Sequence, residues 1–454
     1  MIYFSFRTPL GDLSLAGSSP LGRPENIVHH TIKTKMIRAP RASSNNRVMD
    51  AGAVVWRWAG AAIVGTLAAC SSLPPPTALP PEPVAQPLPT PPQAPTGWPP
   101  ELTQALAEAD SQPLPPALAR TASTWAPARW ADLPGLAQDN LHEAWNAWLR
   151  SCERPGPAWV PLCREVRPLS LGSDTERWRW MFTHLQPHRV LAPDGGTPTG
   201  LLTGYYEPVM TASRVRTATH TVPLHSPPLG VDGRQPWHSR QAIDTLAEAQ
   251  AALRGREIVW LADPIDALIL QIQGSGRVVV TEPNGSERTV RLAFAAHNGH
   301  AYQSVGRWLL DQRAVREASW PAIKTWAAQN PQRVNEMLWA NPRTVFFREE
   351  PLSGLDAQFG PKGAQGVPLT PGRSIAVDSG SIPYGTPVWL ATPGPTVALN
   401  RLVLAQDTGG AITGAVRADY FVGWGAEAGT LAGGIKQPLQ LWALWPRRAM
   451  APSR

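Results

Sequence analysis

Between Leu73 and Pro100 almost every second residue is proline. Proline lacks the backbone donor that helices and sheet ladders need and holds the chain extended, so this stretch cannot contribute a core. It reads as a semi-stiff tether. The lead-in is assigned to residues 70–118, and the folded body is expected from residue 119 onward.

What precedes the tether explains its use. Ala59 to Ala69 is a short apolar run, with Arg57 before it and Cys70 directly after it. The run is too short to span a bilayer and has the layout of a secretory signal. Its ending, Leu67-Ala68-Ala69-Cys70-Ser71-Ser72, looks like a lipobox in which Cys70 is lipidated and becomes the first mature residue. Met49 then reads as the start, and residues 1–69 as an upstream region plus signal peptide. Residues 1–48 hold seven Lys/Arg and two acids, so removing them takes +5 from the formal +7 and leaves about +2. Nothing in that charge calls for a nucleic-acid partner. The expected membrane link is the lipid alone, and Ser71 after the cysteine points to the outer membrane, facing the periplasm. Cys152 and Cys163 lie eleven apart in an exported chain, as a disulfide or as two reduced structural thiols.

Spacing outlines the body. Leu141, Trp145, Trp148 and Leu149 predict a helix over Asp139–Leu149, and Trp178–Leu185 a further helical layer. Strands are predicted at Leu201–Val209, Glu257–Leu261, Ala267–Gln273, Arg277–Thr281, Arg288–Phe294 and Thr344–Phe347, with a hairpin at Asn284-Gly285. One helix is predicted over Ser239–Leu253, capped by Ser239, with Ile243, Leu246 and Leu253 on one face. Short helices follow at Tyr302–Leu310, Trp320–Ala328 and Pro331–Trp339. The class is mixed α+β and rich in β. Most of the 20 tryptophans are expected in the core.

The chemistry concentrates near the C-terminus. The apolar run Leu402–Ala405 feeds Asp407-Thr408-Gly409-Gly410-Ala411-Ile412-Thr413-Gly414, whose glycines allow a tight turn and close approach of a ligand. Asp419 follows, and Asp378 closes the upstream run Ile375-Ala376-Val377. Three aspartates at strand ends are expected to converge on one cleft. Asp378-Ser379-Gly380 and Asp407-Thr408-Gly409 also match the paired signatures of aspartic peptidases, but 29 residues are too few to put each in its own lobe. His297 and His300 lack a third metal ligand. No phosphate-binding loop, dinucleotide fingerprint or nucleophile elbow is present, so neither metal nor cofactor is expected.

Taken in order, Thr203-Gly204-Tyr205-Tyr206-Glu207-Pro208-Val209, Gln273-Gly274-Ser275-Gly276, Asn298-Gly299-His300-Ala301-Tyr302, Asn341-Pro342 with Val345-Phe346-Phe347, Asp378 with Ile382-Pro383-Tyr384-Gly385, and Asp407 through Ile412 with Asp419 resemble the membrane-bound lytic murein transglycosylase A family. The resemblance covers about residues 130–447 and ends in a module named for its three aspartates. It implies a double-psi β-barrel built from 119–200 and 342–447, a smaller β domain inserted at 201–341, and a groove between them that holds peptidoglycan glycan strands. It implies Asp419 as catalytic acid, supported by Asp407 and Asp378. Tyr206, Gln273, Gly274, Ser275, Gly409 and Gly410 are expected on the groove wall, and cell-wall synthases as partners. The activity implied is cleavage of the β-1,4 bond after N-acetylmuramic acid by that sugar's own C6 hydroxyl, giving 1,6-anhydro ends. An intramolecular nucleophile needs no second carboxylate. A two-aspartate hydrolase and a non-catalytic glycan clamp are the alternatives.

Overall fold

Six strands close a ring. Lys436–Pro446 pairs with Pro387–Thr392, which pairs in turn with Leu399–Asp407. Ser374–Val377, Arg417–Trp424 and Gly200–Glu207 follow, and the last pairs back onto Lys436–Pro446. The joins of Ser374–Val377 with Leu399–Asp407 and of Arg417–Trp424 with Gly200–Glu207 are parallel; the other four are antiparallel. Closure removes the edges that an open sheet would expose. It also accounts for the unbroken apolar runs: all six residues of Pro387–Thr392 are buried, half facing the barrel interior and half the helices outside. Three short strands, Leu118–Ala119, Thr124–Pro127 and Leu185–Leu191, extend the sheet beside Lys436–Pro446. The α+β class and the barrel with a smaller second sheet are as expected.

The computed structural model describes residues 97–352 and 354–447, and these fall in one compact unit. Cys70, the signal-like run and the tether up to Thr96 lie outside the described residues. The tether assignment does not hold for all of 70–118, because Pro100–Ser111 is a helix. Pro100 stands at its first position, where no donor is missed. Leu102, Ala105, Leu106 and Ala109 pack on the tryptophan-rich core, and Trp98 lies 5.4 Å from the Trp178 ring.

That core sits on the barrel's outer face. The helices Leu141–Ser151, capped by Asn140, and Asp174–His184, capped by Ser173 and Glu176, bring Trp145, Trp148 and Trp178 against Trp389 and Trp442 of the strands. No described tryptophan is exposed. Cys152 and Cys163 form a disulfide across a Cα separation of 5.4 Å, beside Trp159 in this core. An eleven-residue separation implies that reducing it, or making Cys163→Ser, costs about 2–3 kcal/mol. Urea unfolding with and without reductant checks this.

The second sheet runs Val345–Pro351, Glu287–His297, Ser275–Thr281, Val209–Ser213, Glu257–Leu261, Val222–His225. The chain crosses from barrel to second sheet at Pro208 and leaves it after Pro351, so sheet membership falls later than the expected limits of 201 and 341. The Asn284-Gly285 hairpin is present, with Thr281 opposite Glu287. Two elements differ from expectation. Ala267–Gln273 is not a strand but most of a helix, Pro264–Gln273. Asp263 caps it by accepting from the Ile265 N–H at 2.7 Å, Pro264 starts it, and Gly274 ends it at φ 80°. The helix is buried on most sides, so its apolar residues show no strand-or-helix period. The helix over Ser239–Leu253 is two, Arg240–Thr245 and Ala247–Leu253, because Leu246 is extended at their junction and exposed.

Candidate active site

Register places two of the three aspartates together. Ala376 pairs with Asp407 on one side and with Asp419 on the other. At the ordinary spacing of neighbouring strands the two backbones lie about 10 Å apart. Both carboxyl groups line a groove of about 740 Å³ between the barrel and the second sheet. Asp407 ends its strand, as expected. Asp419 does not: it is the third residue of Arg417–Trp424 and is only 4% exposed.

Asp419 is held from the neighbouring strand. Its register partner Thr203 donates its hydroxyl to Asp419 Oδ1 at 2.7 Å, and Arg417 Nη2 donates to the Thr203 oxygen at 2.8 Å. Sequence reasoning singled out neither as a site residue, although alternation along Gly200–Glu207 carried the signal for Thr203. Thr203, Tyr205 and Glu207 share a parity, and Tyr206 has the other. Hence Tyr205, not Tyr206, lines the groove. The Tyr206 ring stands against Gly429 and the barrel core instead, and only its backbone N–H reaches towards the groove, donating to Gln273 Oε1 at 3.3 Å.

Asp407 is fixed through both oxygens. Oδ1 accepts from the Ala364 N–H at 2.9 Å and Oδ2 from the Tyr205 hydroxyl at 3.0 Å. Burial lifts its pKa from 3.8 to about 6, against the opposing pull of these hydrogen bonds and that of the Thr408 backbone. A carboxyl whose folded value is raised contributes stability fully below its unfolded value, and that contribution is lost as pH rises through the folded one. The window here is about pH 4 to 6. Carboxyl-carbon NMR is expected to show an Asp407 titration centred near 6; a midpoint at 4 or below contradicts the burial argument.

Asp378 does not join the groove. Its Oδ1 accepts from the Gly380 N–H at 2.9 Å and its Oδ2 from the Gly414 N–H at 2.8 Å. It therefore ties its own turn to the loop after Asp407, at a glycine whose φ of 108° disfavours any side chain. With Asp378 so placed, the two signatures cannot form a proton-sharing dyad. Gln273, Gly274, Ser275, Gly409 and Gly410 all line the groove, as do Phe294, Tyr302, Arg343 and Arg348 from the second-sheet side. No tryptophan does. His297 accepts from the Gly299 N–H and His300 meets the Trp237 carbonyl, both local backbone contacts. A separate hollow of about 850 Å³ beside Pro100–Ser111 contains none of the candidate residues.

Comparison with known proteins agrees with this layout. The MltA specific insert domain matches residues 201–348 and the 3D domain residues 373–445. Membrane-bound lytic murein transglycosylase A of Escherichia coli (strain K12) is 33% identical over 254 residues, 53% of this chain and 64% of that protein. The match thus spans less than two thirds of that relative's length. The crystal structure of MltA from Neisseria gonorrhoeae (monoclinic form) superposes with a TM-score of 0.61 at 28% identity, over 74% of this chain and 96% of that one. Escherichia coli MltA with bound chitohexaose gives 0.54 at 26% identity, over 67% and 90%. With both domain types matched in order, and membrane-bound lytic murein transglycosylase A of Vibrio cholerae 31% identical over 269 residues, 55% of this chain and 67% of that protein, the chain belongs to the membrane-bound lytic murein transglycosylase A family.

Proposed function

We propose that this protein is a peptidoglycan lytic transglycosylase, with Asp419 as its acid and base. The observation that carries the reading is the placement of Asp419: buried in the groove wall and oriented through Thr203. The relative crystallised with chitohexaose supports a glycan as ligand. In the reaction, Asp419 gives its proton to the glycosidic oxygen as the bond to C1 of N-acetylmuramic acid breaks. The C6 hydroxyl of the same sugar closes onto C1, and its proton goes to the Asp419 carboxylate. No water is consumed, and the acid is restored. Asp407 and Asp378 are supporting residues in this reading. Asp407 braces the Ala364 loop and Tyr205, and Asp378 fixes the glycine turn. Gln273, Gly274, Ser275, Gly409 and Gly410 face the sugar, and the segments 119–200 and 342–447 carry the catalytic barrel.

Both oxygens of Asp407 already accept hydrogen bonds, which favours a bracing role over activation of water. Digestion of sacculi in ¹⁸O-labelled water tests this choice. The lyase incorporates no label, whereas a hydrolase places one ¹⁸O at each cut. Lipidation of Cys70, anchoring to the outer membrane facing the periplasm, and association with cell-wall synthases complete the proposal. Palmitate labelling that disappears in Cys70→Ala checks the anchor. Among the described residues no helix is long and apolar enough to cross a membrane.

A further inference from the structure

Besides the carboxyl groups of Asp407, Asp419 and Glu350, the groove holds cations that the proposed acid–base chemistry does not use. Four cations line it: Arg154, Arg343, Arg348 and Lys362. Arg348 is paired with Glu350 at 2.8 Å, but the other three form no ion pair among the described residues. Arg154 and Lys362 are exposed, whereas Arg343 is half-buried. Its Nη1 donates to the His300 carbonyl at 3.1 Å. The guanidinium carbon lies 3.8 Å from where a side chain on Gly410 would begin. The cation thus sits over the glycine turn that follows Asp407, in the groove that Asp419 also lines. Burial lowers its pKa, so partial desolvation without an acid partner costs the protein free energy. A planar guanidinium recovers that cost best against a carboxylate, which it binds through two parallel hydrogen bonds.

Of the two sugars in peptidoglycan, only N-acetylmuramic acid has an acidic substituent, a lactyl ether. Its carboxylate is free in peptide-free strands. In peptide-bearing strands it is an amide, and the carboxylates lie further out on the stem. Resting on the glycan reading above, we propose that Arg343, aided by Lys362 and Arg154, binds a carboxylate on the muramyl side of the strand, so that the groove selects murein over an uncharged chito-oligomer.

The test compares dissociation constants of the full chain, carrying Asp419→Asn to prevent turnover, for peptide-free glycan strands, peptide-bearing strands and chitohexaose. Arg343→Ala is expected to worsen binding of an anionic strand relative to chitohexaose by about tenfold, the size of a charge-assisted contact. Arg343→Lys should recover part of that loss, and added salt should erase the difference between strand and chitohexaose. A loss confined to peptide-free strands identifies the lactyl carboxylate, and one confined to peptide-bearing strands identifies the stem. An unchanged ratio in Arg343→Ala and in Lys362→Ala, with chitohexaose still bound by the parent, overturns this inference and leaves the glycan reading standing. A parent that binds none of the three ligands overturns both.

Discussion

Asp419→Asn is expected to cut release of soluble muropeptides from sacculi by between about a hundredfold and ten-thousandfold, the range that a positioned acid and base contributes. The substitution keeps the shape and leaves an amide oxygen to accept from Thr203, which now donates to Oδ1 at 2.7 Å. The fold should therefore survive, with little change in melting temperature, so that lost activity reports lost chemistry. Binding of chitohexaose should persist, because only the proton has gone. Asp407→Asn provides the contrast. It disturbs the contacts to Ala364 and Tyr205 and so is expected to loosen the groove, but it leaves the acid in place. A variant pair in which Asp407→Asn abolishes cleavage and Asp419→Asn does not would reverse the assignment.

The second large effect is on stability. Glu207 ends the barrel strand Gly200–Glu207 and is fully buried. It accepts from Arg291 Nε at 2.5 Å and from Arg277 Nε at 2.9 Å, both in the second sheet. Each arginine also donates to the Phe359 carbonyl, at 2.7 and 3.0 Å, and the Arg277 guanidinium lies 3.8 Å from the centre of the Trp424 ring. One carboxylate, one carbonyl and one aromatic face thus hold two buried cations where barrel and second sheet meet. Burial lowers the Arg277 pKa, and Glu207 opposes that by favouring the charged form. Removing the carboxylate in Glu207→Ala leaves two guanidinium groups desolvated beside each other, a change that costs about 3–5 kcal/mol. Urea unfolding measures this directly, and a loss below about 1 kcal/mol would show that the cluster is not what joins the sheets. Activity should fall in the same variant, since the groove walls belong to the two sheets that this cluster joins.

Much of this was legible in the residues themselves. The strand feeding Asp407, the hairpin at Asn284-Gly285 and the cap at Ser239 all follow from local chemistry that a short window contains. What a window lacks is direction. Asp378, Asp407 and Asp419 look alike in sequence, each near an apolar run; only pairing across Ser374–Val377 puts Asp407 and Asp419 on its two neighbours and leaves Asp378 beyond the strand end. Tyr205 rather than Tyr206 reaches the groove because it shares the parity of Thr203, which pairs with Asp419. The helix Pro264–Gln273 was unreadable as a helix because burial on most sides erases the apolar period, and Asp263-Pro264 was the remaining signal. The helix Pro100–Ser111 was hidden by the prolines before it. Arg343 and Glu207 depend on contacts over long sequence separations, which no local pattern encodes.

Asp419 is proposed to cleave glycan strands without water. Mass spectrometry of muropeptides released from purified sacculi by the full chain, beside its Asp419→Asn variant, tests it most directly. Products ending in 1,6-anhydromuramic acid are expected from the parent and none from the variant. Reducing ends from the parent, or anhydro ends from the variant at the parent's rate, would contradict it.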